Sequence, residues 1–408
     1  MDAVTRRKFL IASGVVGGTA LLAGGAWTVH DILDTATWDD RPGDAKTLVL
    51  VTLYGGNDGL ATVIPYADTA YAPARHELAY KPEEVLKLDD ALGLNPGLTG
   101  LKRMYDAKKL AIVRGVGYPK PDHSHFRSMD IWQTAQPDRP GNTGWLGRWL
   151  DAVGGDPRHA VSFEPVLPPL LAGVTTAGAA VPVTGLALPA GVKPEVLTAF
   201  GRPAAGEPKL QARAARAFAD LVEVDAMIHS VDEAGGDTDG SSSSGTATGG
   251  RADLKTQLDL VARCVEAGVA TRVFSVSLGG FDLHAEERNS QEILLKLLDE
   301  ALTTFAERMA KTDAGRKVVV AVYSEFGRRV AANGSDGTDH GTASNMFVLG
   351  SPVRGGLYGE QPSLTDLDNG DLKFTTDFRA VYATLLHHVL GADPEPILGY
   401  KDQLTGIL

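Results

Sequence analysis

Carboxylate and imidazole side chains closely follow several apolar segments of this sequence. Three of these segments read "TLVLVTLYGG", "RVFSVSLGGF" and "KVVVAVYS", and an Asp-His pair comes a short glycine-rich turn after the third. Carboxylate oxygens and neutral imidazole nitrogens are ligands of divalent ions such as Zn²⁺ and Mn²⁺. The sequence therefore predicts a site for one or two divalent ions (Zn, Mn, Mg or Ca), with the candidate ligands Asp58, Asp282, His284, Glu325, Asp339 and His340.

Each of these motifs also has an ordinary structural alternative. "GGNDG" is typical of a tight turn, "FDLH" of a strand end that caps a helix, and "GSDGTDHG" of a solvated loop. "SEFGR" could bury Glu325 against Arg328. The repetition favours the metal site, because independent turns have no reason to follow core-like strands with ligand residues each time. Within the last pair, His340 is the stronger candidate, and Asp339 could instead orient it.

The segment "DHSHFRSMDIW" carries candidate nucleophiles at the start of a predicted helix. Ser124 is the leading candidate, Ser128 is an alternative, and Ser124 is also a good helix N-cap. Arg127, together with Asn57 after the first strand, could stabilise the negative charge that develops on a reacting ester. His125 could contact an ester oxygen or pack on the helix.

Short apolar runs alternate with helical patterns along the chain. Continuous Val/Leu/Ile runs are typical of strands buried on both faces, and "NSQEILLKLLDEALTTFAERMAK" has the periodicity of a helix with one apolar face. This alternation predicts an α/β fold with a parallel sheet covered by helices. Because ligands bind beyond the carboxyl ends of such strands, the polar clusters are expected to converge at one edge.

Composition argues against nucleic-acid binding and indicates where the domain and its flexible loop lie. The 408 residues carry a net charge of -12, which disfavours binding to nucleic-acid phosphates. The single cysteine, Cys264, cannot form an intramolecular disulfide and is expected to be buried in a helix. We expect one domain at 46–408, with a flexible Gly/Ser loop at 234–251.

The N-terminal segment "TRRKFLIASGVVGGTALLAGGA" has the order of an export signal. It resembles the twin-arginine type, which implies a signal at 1–26, a linker at 27–45 and the twin-arginine translocase as partner during export. We expect a protein outside the cytoplasmic membrane or in the cell envelope, with no stable membrane span in its mature form. Retention of the segment as an anchor is the alternative, although it is short and glycine-rich for a membrane helix.

The ordered motifs "TLVLVTLYGGNDG", "HSHF", "GGFDLH", "SEFGR" and "GTDHG" resemble the bacterial exported family called domain of unknown function 1501. That family is similar in fold to the alkaline phosphatase and sulfatase superfamily. The resemblance implies a three-layer sandwich with a mostly parallel central sheet and helices on both faces. It also implies a metal centre at the carboxyl edge of the sheet.

The resemblance assigns roles by position. Asp58 matches the first metal-binding aspartate, Asp282 and His284 the next ligands, and His340 a late histidine ligand. Ser124 lies near the position of the nucleophile. Phe326 stands where the superfamily usually has a histidine after an acidic ligand, which leaves open two metals, one metal, an altered metal or a non-catalytic site.

These observations predict an exported metal-dependent hydrolase of small phosphate or sulfate esters. The alternative is an exported binding or assembly protein that keeps the pocket without turnover.

Overall fold

The computed structural model describes residues 45–164, 166–181 and 253–408. The expected signal at 1–26, the linker before residue 45 and the Gly/Ser loop at 234–251 lie outside the described residues. The strands are β1 (Thr47–Leu53), β2 (Val63–Ile64), β3 (Leu86–Lys87), β4 (Gly93–Leu94), β5 (Leu110–Gly117), β6 (Ala160–Ser162), β7 (Ala179–Ala180), β8 (Val273–Leu278), β9 (Val318–Ser324), β10 (Arg328–Ala332), β11 (Thr338–His340), β12 (Ser344–Leu349), β13 (Gly356–Tyr358), β14 (Leu367–Asp368), β15 (Asp371–Leu372) and β16 (Thr376–Asp377). The α-helices are α1 (Gly59–Thr62), α2 (Tyr71–Arg75), α3 (Thr99–Asp106), α4 (His125–Thr134), α5 (Trp145–Ala152), α6 (Leu254–Glu266), α7 (Glu287–Met309), α8 (Phe378–Leu385) and α9 (Pro394–Leu398).

A central sheet of nine strands organises the described residues. Its strand order is β13-β5-β12-β9-β1-β8-β6-β7, with β16 beside β5. β12 runs antiparallel to both β5 and β9, whereas the other pairings within this sheet are parallel. The predicted mostly parallel sheet is therefore confirmed.

Helices cover both faces of the sheet. Alternate residues of β1 point to opposite sides: Val49 and Val51 join one apolar cluster, and Leu48 and Leu50 join the other. Helices α3, α6 and α7 contribute to the first cluster, and α4, α5, α8 and α9 to the second. These three layers confirm the predicted α/β class with helices on both faces.

The single cysteine lies in the core, as expected. Cys264 is fully buried on α6, and burial raises the pKa of its thiol to about 12. It therefore stays protonated at neutral pH and packs as a small apolar residue.

The direction of the strands explains why distant polar segments meet. Parallel strands β1, β5, β8 and β9 end at the same edge of the sheet, so the segments that follow them converge there. Because β12 runs the opposite way, the segment that precedes it arrives at this edge as well. That segment contains β11 and His340.

Across the described ranges, none of the helices combines the length and the apolar character that crossing a bilayer requires.

Candidate metal centre

Three histidines and one aspartate meet at the carboxyl edge of the sheet, and we call them the histidine cluster. His125 begins α4, Asp282 and His284 follow β8, and His340 ends β11. The ligand atoms of His125, Asp282 and His340 all lie within 4.8 Å of one another. The structure therefore brings together three of the predicted ligands, Asp282, His284 and His340. It adds His125, which the sequence analysis did not assign as a ligand.

The nitrogen and oxygen atoms of the cluster are close enough to share one ion. His340 Nε2 lies 3.1 Å from His125 Nε2 and 3.0 Å from His284 Nε2. Asp282 Oδ1 lies 3.2 Å from His340 Nε2 and 3.0 Å from His284 Nε2, and its Oδ2 lies 3.5 Å from His125 Nε2. Ligand atoms at about 2.0–2.1 Å from a tetrahedral ion are about 3.3 Å apart, so these spacings suit such an ion.

The other ring nitrogens fix which imidazole atom carries the proton. His340 Nδ1 lies 2.7 Å from the carbonyl oxygen of His123, which can only accept, so Nδ1 carries hydrogen. Burial lowers the pKa of His340, which keeps the ring neutral and leaves Nε2 with a lone pair. His125 Nδ1 lies 2.8 Å from Glu325 Oε1, and this hydrogen bond raises the pKa of His125. Histidine ligands of metals usually donate their other nitrogen to a carbonyl or carboxylate in this way.

Asp282 is held ionised by a buried arginine. Burial alone would raise the pKa of Asp282, but the hydrogen bond and charge of Arg328 outweigh it and lower the pKa to about 2. Arg328 Nη2 donates to Asp282 Oδ1 at 2.7 Å. The carboxylate is therefore ionised at any physiological pH, as binding to a metal ion requires.

Arg328 also ties the strand-end loops together. Its guanidinium donates to the carbonyl oxygens of Gly56, Thr338 and Phe281 at 2.7, 3.0 and 3.0 Å. The glycine is needed for this approach: Gly56 has φ +72°, and a Cβ there would lie 2.2 Å from the ring of Phe326. The "GGNDG" motif therefore allows the loops after β1 and β9 to pack closely.

The donor set fits a divalent ion. The Nε2 atoms of three imidazoles and an ionised carboxylate face one another, an arrangement that a divalent cation would stabilise. Within the described part of the chain, His125, Asp282 and His340 form the one group of three or more His, Cys, Asp or Glu side chains with the spacing of a metal site, and His284 adjoins it.

Two further predicted ligands lie beside the cluster. Glu325 accepts from His125 Nδ1 and from the backbone N–H of Gly55, at 2.8 and 2.9 Å, so it orients the ring of His125. Asp339 Oδ1 lies 3.6 Å from His284 Nδ1 and accepts a hydrogen bond from Asn333. Both carboxylates contact the outer nitrogen of a histidine whose Nε2 belongs to the cluster.

Asp58, the sixth predicted ligand, lies in a buried ion pair. Arg75 donates to Asp58 Oδ2 and Oδ1 at 2.5 and 3.1 Å, and the two residues are 1% and 2% exposed. Asp58 also caps α1 by accepting from Leu60 N–H. Burial alone would raise the pKa of Asp58. The charge of Arg75 outweighs this effect, so the pKa is lowered and the carboxylate stays ionised. Since both oxygens have guanidinium partners, the structure gives Asp58 a role in the packing of the β1 loop.

A third buried ionisable group adjoins this pair. Burial and the charge of Asp58 raise the pKa of Glu287 to about 9, so its carboxyl carries a proton at neutral pH. Glu287 Oε2 accepts from the hydroxyl of Thr338 at 2.5 Å. The group links α7 to the strand that carries His340.

Of the predicted catalytic residues near α4, the two serines differ in exposure, and Arg127 has an acidic partner. Ser124 is exposed and caps α4, but its Oγ accepts only a long contact of 3.5 Å from Arg127 N–H. Ser128 is fully buried and donates to the carbonyl of Asp122 at 2.6 Å, so it is not available as a nucleophile. The guanidinium of Arg127 pairs with Asp130.

Asn57 is also occupied by structural contacts. Its side-chain oxygen accepts from Thr62 and Gln291 at 3.1 and 2.7 Å, and the residue is 3% exposed. It fixes the β1 loop against α7 and does not face solvent.

The main residue that sequence reasoning did not assign as a ligand is His125. The motif "HSHF" offered a signal for this role. His125 is the first residue of α4, and the start of this helix lies at the strand ends. Spacing alone could not separate a histidine that packs on the helix from one that points into the cluster.

A cavity of about 560 Å³ lies beside the cluster. It is lined in part by His123 and Phe326. The carbonyl of His123 bonds to His340, and the ring of Phe326 lies 4.9 and 5.0 Å from the rings of His125 and His340. A molecule in this cavity would therefore be one side chain away from the cluster.

Comparisons with known proteins identify a family and a range of structural neighbours. The family model "Protein of unknown function (DUF1501)" matches residues 45–406, and no curated protein matches the chain significantly. The chain is similar to a protein in the alkaline phosphatase superfamily from Vibrio parahaemolyticus, with 11% identity, TM-score 0.41, and coverage of 88% of this chain and 74% of that one. It is also similar to the alkaline phosphatase from the Antarctic bacterium TAB5, with 11% identity, TM-score 0.34, and coverage of 77% and 94%. At these values the structural similarities identify no activity or substrate.

Proposed function

We propose that this chain, which belongs to the DUF1501 family, is a metal-dependent hydrolase of phosphate or sulfate esters. The observation that supports this proposal is the histidine cluster, with an exposed serine hydroxyl on the residue before one of its ligands. Metal ligands, a candidate nucleophile and cationic side chains then share one edge of the sheet. This combination suits displacement at phosphorus or sulfur.

His125, Asp282, His284 and His340 would hold one divalent ion. When bound, such an ion supplies positive charge that stabilises the oxygens of an anionic ester during its displacement. The chain's own residues prepare that site: Arg328 keeps Asp282 ionised, and the carbonyl of His123 keeps His340 in the tautomer that binds metal. Glu325 fixes the ring of His125.

Ser124 is the proposed nucleophile. Its Oγ has only one weak contact, so the hydroxyl is free to approach a substrate. The oxygen would form a bond to phosphorus or sulfur while the bond to the alcohol oxygen breaks, and the serine proton would pass through solvent to the departing alcohol. Water would then cleave the serine ester, which releases phosphate or sulfate and restores the hydroxyl. Because Ser124 directly precedes His125, the bond would form next to the cluster.

Two cationic side chains beside the cluster could bind an anionic substrate. Lys120 and Arg329 line the adjacent cavity, and the side chain of Arg329 is 40% exposed. They replace Arg127 and Asn57 as the groups that we propose to bind the ester oxygens, since those two residues have structural partners.

An activity panel tests the proposal. The purified protein is assayed with chromogenic phosphomonoester, phosphodiester and sulfate ester substrates, each with Zn²⁺, Mn²⁺, Mg²⁺ and Ca²⁺. We expect turnover of at least one ester class that a chelator abolishes and a divalent ion restores. Absence of turnover across the panel would refute hydrolysis and support the non-catalytic binding protein.

Serine variants test the nucleophile separately from the helix cap. Ser124→Asn keeps an N-cap acceptor but removes the hydroxyl, and Ser124→Thr keeps both. We expect Ser124→Asn to lose activity by about 10³-fold or more with unchanged thermal stability, and Ser124→Thr to retain part of it. Equal activity of Ser124→Asn and wild type would exclude Ser124 as the nucleophile.

We also propose export by the twin-arginine route, supported by Arg6 and Arg7 ahead of an uncharged segment. The double substitution Arg6→Lys and Arg7→Lys keeps the charge and should retain the protein in the cytoplasm. Unchanged export of the double variant in cell fractionation would count against this route.

A further inference from the structure

The cavity beside the histidine cluster has a lining that suits a particular kind of alcohol. Hydrogen-bond acceptors and donors occur together there. Asp368, Asn369 and Asp371 supply acceptor oxygens, and Lys120 and Arg329 supply donors. Phe374, which is 38% exposed, adds an aromatic face. An apolar ligand would leave the charged groups of this lining unpaired, which is costly.

Asp371 is an acceptor with spare capacity. The residue is 4% exposed, and its Oδ2 lies 2.8 Å from His123 Nε2. Its Oδ1 is buried without a hydrogen-bond partner, and it forms an ion pair with Arg329 Nε at 3.5 Å. A buried carboxylate oxygen without a donor is unfavourable, so a ligand donor that enters beside the half-exposed Arg329 would be stabilised.

We propose that the cavity binds the alcohol portion of the ester and selects a polyhydroxylated, sugar-like alcohol. Ligand hydroxyls would donate to Asp371 and Asp368, and their oxygens would accept from Asn369, which leaves Lys120 and Arg329 for the ester oxygens. A sugar ring also offers an apolar face to Phe374. The volume of about 560 Å³ accommodates a ring of this size, since small-molecule sites span about 300–1,000 Å³.

This inference rests on the proposed hydrolase for its reaction, but the binding step can be measured by itself. Glucose 6-phosphate and cyclohexylmethyl phosphate are both phosphate esters of a primary alcohol, one with a hydroxylated ring and one with a non-hydroxylated ring. We expect the wild-type protein to prefer glucose 6-phosphate in kcat/KM. Asp371→Asn should reduce kcat/KM for glucose 6-phosphate by about 10-fold to 100-fold and change that for cyclohexylmethyl phosphate less than about threefold, because a hydrogen bond to a charged group is lost.

Two further variants control for indirect effects. Asp368→Ala removes an exposed acceptor of the same cavity without altering the core, and should weaken only the hydroxylated ester, by about threefold. Asp402→Asn changes an exposed carboxylate that does not line the cavity and should leave both esters unaffected. If Asp371→Asn does not fold, Asp368→Ala still decides the question.

Calorimetric titration with glucose 6-phosphate separates this inference from the proposed reaction. If the wild-type protein binds this probe about 10-fold more tightly than Asp371→Asn but hydrolyses nothing, the hydrolase is refuted and the sugar-like site stands. If the wild-type protein hydrolyses both esters with equal kcat/KM, or if Asp371→Asn lowers kcat/KM equally for both, the sugar-like site is refuted and the hydrolase stands. Failure of the wild-type protein to bind glucose 6-phosphate would also overturn the inference.

Discussion

The substitution Arg75→Met tests whether the buried ion pair of the β1 loop has the structural role described for it. Arg75 is the guanidinium partner of both oxygens of Asp58, and methionine fills a similar volume without the charge. The substitution leaves Asp58 buried with the N–H of Leu60 and the neighbouring carboxyl of Glu287. Breaking one side of a buried pair costs about 3–5 kcal/mol, because the remaining charge is uncompensated.

Protonation of Asp58 sets an upper limit on this loss. Neutralising an aspartate whose ordinary pKa is about 3.9 costs about 4 kcal/mol at pH 7 and about 1.5 kcal/mol at pH 5. In the wild-type protein Arg75 lowers the pKa of Asp58, so the stability from this pair is present above the unfolded pKa and is lost as pH falls. The deficit of Arg75→Met should therefore shrink from about 3–4 kcal/mol at pH 7 to about 1.5 kcal/mol at pH 5.

Urea denaturation at the two pH values measures this deficit. The double variant Arg75→Met with Asp58→Asn removes both charges and is the matched control, which should recover most of the loss at pH 7. A deficit below about 1 kcal/mol at pH 7, or a double variant no more stable than the single one, would refute the reasoning.

Three other changes give distinct readouts. Glu325→Gln weakens the acceptor of His125 Nδ1 and should lower affinity for Zn²⁺ by about 10-fold to 100-fold in chelator competition, whereas Glu307→Gln on the exposed face of α7 should not. Between about pH 5 and pH 9, the folded protein keeps a proton on Glu287 that the unfolded chain loses. The free energy of unfolding of the wild type should therefore fall with rising pH, by up to about 1.4 kcal/mol per pH unit. Glu287→Gln should flatten this slope, which denaturation curves at several pH values measure. Gly56→Ala forces a side chain against Phe326 at a positive φ and should lower the melting temperature by several degrees or more, which differential scanning calorimetry detects. An unchanged affinity, slope or melting temperature, respectively, would contradict each of these expectations.

Sequence reasoning predicted the fold class because the signals were local and repeated. Val/Leu-rich runs such as β1 and β9 are typical of strands buried on both faces, and the apolar periodicity between them is typical of helices. The convergence of Asp282, His284 and His340 followed from the rule that parallel strands deliver their loops to one edge.

The details of the site that the sequence did not predict depend on tertiary contacts that carry no local signal. Asp58 has the sequence context of a ligand, yet Arg75, 17 residues later, contacts both of its oxygens. His125 looks like a helix residue, and only the packing of α4 against the β9 loop turns its ring toward His340. The reversed direction of β12, which brings His340 to the site, could not be inferred from composition.

Metal content of the purified protein tests the central proposal most directly. Wild-type protein and the variants His125→Ala, His340→Ala and Asp58→Asn are dialysed against Zn²⁺ or Mn²⁺ and then against buffer, and bound metal is measured by mass spectrometry. We expect about one ion per chain in the wild type and in Asp58→Asn, and near-complete loss in both histidine variants. Wild-type protein without bound metal, or histidine variants that retain it equally, would contradict the assignment of the histidine cluster as a metal centre.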